Sequence, residues 1–155
     1  MTFQIRDAQL ADRASIAENN SLMAEETEGR PLSPDIIGPG VERLLKDPQK
    51  GRYWVAVDVD KVIGQIMVTY EWSDWRNGML WWIQSVYVLP EFRRQGVFSA
   101  LYRHVEKLAL QAGDVRGLRL YVEHNNLQAQ KTYAALGMVN PNYLVMEAIF
   151  GDSKC

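Results

Sequence analysis

Residues 86–101 read VYVLPEFRRQGVFSAL and are the most informative stretch of the 155-residue chain. An apolar strand runs into a proline and two arginines, and Gly96 then opens a helix whose apolar residues recur every three or four positions. The N-terminus of such a helix binds anions such as a diphosphate through its unpaired backbone N–H groups and dipole. Glycine lets the main chain approach the anion, and Arg93 and Arg94 offer donors beside it. The alternative is an ordinary strand-to-helix connection with solvated arginines.

A second informative stretch, NLQAQKTYAALGM, covers residues 126–138. Asn126, either Ala129 or Gln130, and Tyr133 are spaced to lie on one face of a helix. Gly137 is placed to end that helix as a left-handed cap. The alternative is an amphipathic helix whose Tyr133 only packs in the core.

Length and composition predict a single domain over residues 1–155, since the chain is 47% hydrophobic and 23% charged. No apolar run approaches the roughly 20 residues of a membrane span, and no secretory signal opens the sequence. A net charge of -2 argues against a nucleic-acid partner. Cys155 is the only cysteine, so an intrachain disulfide and a cysteine metal site are excluded, and a cytoplasmic location is expected.

The pattern of apolar residues and turn signals predicts the element order β-α-α-β-β-β-α-β-α-β, an α/β chain with a mixed (α+β) sheet. Strands are expected at residues 3–6, 53–59, 62–70, 80–88, 118–122 and 143–150. Helices are expected at residues 10–24, 96–111 and 126–136, with two short pieces at 34–46 around a bend at Gly38-Pro39-Gly40.

Both stretches resemble the motifs of the GNAT acetyltransferase superfamily. The first is similar to Gln/Arg-x-x-Gly-x-Gly/Ala, with Arg93 and Gly96 in place and Phe98 at the position where the family usually has glycine or alanine. The second is similar to Asn-x-x-Ala-x-x-x-Tyr-x-x-Leu-Gly-Phe, with Met138 as the conservative change. The predicted element order also matches the GNAT fold over essentially the whole chain.

The resemblance implies an acetyl-CoA-dependent N-acetyltransferase that transfers the acetyl group directly to a primary amine of a small molecule. In this fold a bulge splays the strands at 80–88 and 118–122, which leaves backbone N–H groups for the cofactor. Tyr133 is the implied catalytic acid, because a phenol with a pKa of about 10 stays protonated at neutral pH. The implied cofactor-binding residues are Val86, Tyr87, Val88, Arg93, Arg94, Gln95, Gly96, Val97, Phe98, Ser99, Asn126, Ala129 and Tyr133.

The acceptor site is expected near residues 71–82, which hold four of the five tryptophans. Aromatic faces beside carboxylates hold an ammonium group, and the expected substrate residues are Glu28, Trp72, Trp75 and Gln84. The alternative is that these tryptophans pack in the core, pair across a hairpin or form the contact of a homodimer.

The strand at 80–88 has no acid, although many relatives carry a glutamate there, so the base is unassigned. The candidates are Glu71, Asp74, Glu123 and His124, while His104 is expected to be structural.

The sequence leaves three alternatives to an acetyltransferase that acts on small molecules. A non-catalytic acyl-CoA sensor fits Phe98 and the missing strand glutamate. A protein N-terminal or lysine acetyltransferase keeps the chemistry but changes the acceptor. A different nucleotide binder is disfavoured, because the chain lacks both Gly-x-x-x-x-Gly-Lys-Ser/Thr and Gly-x-Gly-x-x-Gly.

Overall fold

The computed structural model describes residues 2–151, and its internal contacts divide the chain into two units, one ending at Leu120 and one beginning at Tyr121. The strands of the first unit are β1 Gln4–Asp7, β2 Arg52–Asp58, β3 Lys61–Ser73, β4 Gly78–Val88 and β5 Val115–Leu120. Its helices are α1 Arg13–Glu28, α2 Pro34–Lys46 and α3 Val97–Gln111, with short 3-10 turns at Leu10–Asp12 and Pro90–Phe92. The second unit contains α4, Leu127–Ala135. That residues 1–155 form one domain stays a prediction.

The five strands form one sheet in the order β1-β2-β3-β4-β5. Among β1 to β4, adjacent strands run antiparallel to each other, whereas β5 lies parallel to β4. The predicted mixed α+β architecture is therefore confirmed, including the three consecutive antiparallel strands β2, β3 and β4. Asn77 adopts a positive φ of 48° just before β4, at the predicted Asn-Gly turn.

Helices cover both faces of the sheet. α3 packs closely on β3, because a Cβ added to Gly64 would lie only 3.0 Å from the Val97 side chain. On the other face, Ile16 of α1 and Val41 of α2 join Tyr53 and Val55 of β2 in a buried cluster. Burial of this kind contributes roughly 1.5–3 kcal/mol per large apolar side chain. The packing of the helices therefore stabilises the sheet that carries the β4–α3 segment.

Three sequence predictions need correction. Helix α2 runs unbroken through Pro39, although two pieces around a bend were expected. The strand expected at 118–122 is instead β5, Val115–Leu120, and the expected closing strand at 143–150 has no regular secondary structure. A strand needs a neighbour to accept its ladder hydrogen bonds, and β propensity alone does not supply one.

Within residues 2–151, no helix combines the length and apolar character that crossing a bilayer requires. In the same part of the chain, no group of three or more His, Cys, Asp or Glu side chains is arranged to hold a metal ion. Cys155, on which the disulfide argument rests, lies outside the described residues.

Candidate active site

Strand β4 bulges near its end. Met67 pairs with Gln84 and Gln65 pairs with Tyr87, so Ser85 and Val86 together face a single residue of β3. Ser85 has a left-handed φ of 49°, which is typical of the extra residue in a bulge. The bulge that the resemblance implied is therefore present, and it consists of Ser85 and Val86, directly after Gln84.

Strand β5 ends close to the bulge. Its pairing with β4 begins at Met79 and ends at Ile83, which pairs with Leu120, the last residue of β5, whereas β4 continues to Val88. Within the described residues, the last five positions of β4 therefore lack a β5 partner. Backbone groups on that edge of β4 take no part in the β4–β5 ladder, and a strand edge of this kind can pair with an extended ligand.

Gly96 forms the N-cap of α3 with φ 82°, and a Cβ placed there would meet no atom within 4 Å among the described residues. No side chain of the described residues caps this helix end, so its first N–H groups are not satisfied by a capping side chain. Arg94 also has a positive φ of 61°, and the Gln95 side chain donates to the Glu91 carbonyl at 3.1 Å. The loop is thus held in a fixed shape ahead of the N-terminus of α3, and helix N-termini are places where proteins bind anions.

Arg93 binds protein groups in this structure. Its Nη2 donates to both carboxylate oxygens of Glu26 at 3.0 and 2.9 Å, and its Nε donates to the Val88 carbonyl at 2.8 Å. Its guanidinium also lies 5.2 Å from the centre of the Tyr87 ring, and the Tyr87 hydroxyl donates to Glu26. Arg93 therefore fastens the end of β4 to the last turn of α1, a role that its motif position did not predict.

Phe98, the departure from the family motif, lies in the first turn of α3. Its ring centre is 6.2 Å from that of Tyr102, one turn further along the helix. Val97 is buried, and Ser99 is exposed beside it. The ring of Phe98 thus packs beside the ring of Tyr102 on the same helix. The backbone N–H of Phe98 belongs to the N-terminal turn of α3, like those of Val97 and Ser99.

A polar patch lies on the sheet face that α1 and α2 cover elsewhere. Glu71 Oε1 accepts from Trp82 Nε1 at 3.1 Å and from Arg119 Nη1 at 2.8 Å. Beside it, the Gln84 side chain donates to the Thr69 hydroxyl. Glu71 was a candidate base, but in this structure its carboxylate is occupied by two donors.

The four predicted substrate residues are not brought together. Gln84 lies on the face of the polar patch, whereas strand alternation places Trp72 on the opposite face, where Trp81 contacts Tyr70 and Trp54. Trp72 is 58% exposed and Trp75, in the turn before β4, is 88% exposed. The acidic segment at the end of α1 does reach β4, but through Glu26 and not through the predicted Glu28.

In the second unit, the second motif forms α4 as expected. Asn126 is the N-cap, and its Oδ1 accepts from the Ala129 N–H at 3.1 Å. Gln130 donates to the His124 carbonyl at 2.9 Å, which fixes the loop before the helix. Burial raises the pKa of the Tyr133 phenol, so the group stays protonated well above neutral pH.

The remaining candidate bases show no special environment. Asp74 and His124 are exposed, and Glu123 accepts from the Asn125 N–H at 2.8 Å. His104 is on α3 with its ring 6.2 Å from that of Trp54, and burial lowers its pKa. The structural role predicted for His104 agrees with this packing.

The fold, the β4 bulge and the two motifs place the chain in a known class. It belongs to the acetyltransferase (GNAT) family, whose model matches residues 16–138. As a member it has the acetyltransferase fold, and N-acetyl transfer is the general activity of that family.

Three proteins with acetyltransferase in their names are similar to this chain. The chain is 44% identical to a possible acetyltransferase from Clostridium difficile 630, with a TM-score of 0.89 over 97% of this chain and 99% of that one. It is 36% identical to thialysine N-epsilon-acetyltransferase of Bos taurus over 76 residues, or 49% of this chain and 44% of the bovine protein, so the match spans less than half of that relative. A ribosomal-protein-alanine N-acetyltransferase from Brucella melitensis biovar Abortus 2308 shares the fold at 16% identity, with a TM-score of 0.76 over 97% of this chain and all of that one.

Proposed function

We propose that this chain is an acetyl-CoA-dependent N-acetyltransferase whose acceptor is a primary amine of a small molecule. One observation carries the proposal: β4 continues past Ile83, its last residue paired with β5, and then leads through a short loop to a helix N-terminus opened by Gly96. An exposed strand edge suits the amide-rich pantetheine arm, and the helix terminus suits its diphosphate.

The residues present fit this cofactor. Backbone N–H groups of Arg94 to Ser99 would hold the diphosphate, and the main chain of Val86 to Val88 would hold the pantetheine and the acetyl carbonyl. Acetyl-CoA, when bound, supplies a thioester carbonyl that an amine can attack. Main-chain donors on β4 stabilise the negative charge that develops on the carbonyl oxygen during that attack. Arg93 contributes indirectly, because it anchors the loop to Glu26 and Val88.

Tyr133 is proposed as the general acid. Burial raises the pKa of its phenol, which keeps the proton in place until a thiolate leaves. Asn126 supports this role by capping α4, and Ala129 keeps the same helix face small. The direct transfer needs no nucleophile from the protein, so no covalent enzyme intermediate is part of the proposal.

For the acceptor, we propose an amine at the end of a flexible chain. The bovine relative is named for the N-epsilon position of thialysine, and this chain presents Glu71, Trp82 and Gln84 on the sheet face near the bulge. A carboxylate beside an indole ring can hold a cationic amine, and an amine bound here would take the place of the Arg119 guanidinium that pairs with Glu71 in this structure. Trp75 and Glu28 are exposed and are proposed only for the margin of the site, whereas Trp72 lies on the opposite face of the sheet and is left out of it.

Thiol release from acetyl-CoA tests the function, with polyamines, lysine-like amino acids, aminoglycosides and peptides as acceptors. We expect turnover with at least one small amine and a new acetamide in the product mass. Turnover with peptides alone would instead identify a protein acetyltransferase. Binding of coenzyme A without turnover on any amine would overturn the enzyme proposal in favour of an acyl-CoA sensor.

A cytoplasmic location and a homodimer stay sequence-based proposals. Cell fractionation tests the first. Analytical ultracentrifugation tests the second.

A further inference from the structure

A chain of buried polar side chains lies directly under the β4 bulge. Gln65 of β3 is fully buried, with an exposed fraction of 0%, and Asn19, Asn20 and Tyr53 are buried around it. Gln65 Nε2 donates to Asn20 Oδ1 at 3.0 Å, and Asn19 Nδ2 donates to Gln65 Oε1 at 3.2 Å. Asn20 Nδ2 donates in turn to the Tyr53 hydroxyl at 3.1 Å. We call these four residues the buried amide network.

The network ends on Ser85, the left-handed residue of the bulge. Gln65 Nε2 donates to the Ser85 carbonyl at 3.1 Å, so Ser85 is held through its main chain. A serine at positive φ is costly on its own, and this bond offsets a conformation that the sequence does not favour.

The direction of the Ser85 carbonyl fixes the direction of the next N–H. The peptide bonds of the described residues include no cis bond, and in a trans peptide the carbonyl and the following N–H point to opposite sides. Because the Ser85 carbonyl points into the buried amide network, the Val86 N–H points away from it. Val86 is the first of the β4 residues proposed above to bind the acetyl carbonyl.

We infer that Gln65 is a positioning residue that aims the Val86 N–H at the acetyl oxygen by holding the Ser85 carbonyl. This inference rests on the proposed function, since it assigns Gln65 a part in that reaction. A buried glutamine is otherwise costly in a strand interior, and this one uses its donors on two elements that must keep a fixed relation, α1 and the bulge.

The test compares Gln65→Met with wild type in the thiol-release assay. Methionine has a similar volume but no donor, so the Ser85–Val86 peptide loses its anchor. We expect kcat to fall about 10-fold or more, since misaimed main-chain donors lose much of their effect on the transition state. The KM of the amine and the Kd of coenzyme A should change by less than about 3-fold, because other contacts carry binding.

A spectroscopic reading separates aiming from general damage. With acetyl-CoA labelled with carbon-13 in the acetyl carbonyl, the infrared stretch of the bound carbonyl should lie at higher frequency in Gln65→Met than in wild type. The control is Asp12→Ala, which breaks a buried polar contact with Arg6 at the other end of α1. This control should lower the melting temperature while kcat and the carbonyl frequency stay at wild-type values.

A milder variant covers the case in which Gln65→Met does not fold. Tyr53→Phe removes one hydroxyl from the network and should lower kcat by about 3-fold or more in a folded protein. Wild-type kcat and carbonyl frequency in either folded variant would overturn the inference. Absence of turnover by the wild type itself would defeat the proposed function instead, so the two failures are distinguishable.

Discussion

Replacing Gly96 with alanine tests the proposed diphosphate site. Gly96 has φ 82°, and no described atom lies within 4 Å of the position that a Cβ would take. The substitution therefore creates no clash inside the protein. Its cost to folding comes only from the left-handed backbone, about 1 kcal/mol, which lowers the melting temperature by about 3 °C.

The same methyl group would stand where the diphosphate is proposed to approach the main chain. Loss of one hydrogen bond to a charged group costs about 1.5–3 kcal/mol. We therefore expect the Kd of coenzyme A, measured by titration calorimetry, to rise about 10- to 100-fold in Gly96→Ala.

Gly113→Ala is a matched control at the other end of α3. Gly113 has the same φ of 82° and the same open space around a Cβ, so its folding cost should equal that of Gly96→Ala. Its Kd for coenzyme A should stay at the wild-type value. Equal Kd values in both variants would refute the placement of the diphosphate at Gly96.

Two further predictions concern single groups. Tyr133→Phe should lower kcat about 100-fold or more with little change in cofactor affinity, because the ring is kept and only the acid is lost; an unchanged kcat in steady-state assays would remove Tyr133 from the acid role. A hydrogen bond from Arg6 lowers the pKa of Asp12, so this pair stabilises the fold above the unfolded pKa of about 3.9 and the contribution is lost as pH falls through the folded value. Urea unfolding should therefore show a gap between wild type and Asp12→Asn that narrows from pH 7 to about pH 3; a gap that stays constant would contradict the assignment.

The part of the fold that local sequence dictates was predictable. The strand, loop and helix of residues 86–101 follow from apolar spacing and from Gly96, and the structure has them within a residue or two. Helix α2 shows where local rules fail. Gly38, Pro39 and Gly40 disfavour a helix by a few kcal/mol together, yet burial of Val41 and the packing of Ile37 and Leu44 on the core outweigh that penalty.

The details of the site depend on contacts between distant residues, which one sequence does not reveal. Arg93 carries the motif that predicts anion binding, but its partner Glu26 lies 67 residues earlier and only the fold brings the two together. Three glutamates crowd the end of α1, and helical geometry selects Glu26 as the one that meets Tyr87. Gln65 stands in a strand of apolar neighbours, and nothing local shows that its amide would reach the Ser85 carbonyl.

Hydrogen exchange with and without coenzyme A reads the backbone N–H groups that are proposed to hold the cofactor. We expect slower exchange on binding in peptides that cover residues 84–99, which include the part of β4 beyond its β5 pairing and the first turn of α3. Coenzyme A that binds but leaves the exchange of these residues unchanged would contradict the claim that this edge and this helix end hold the cofactor.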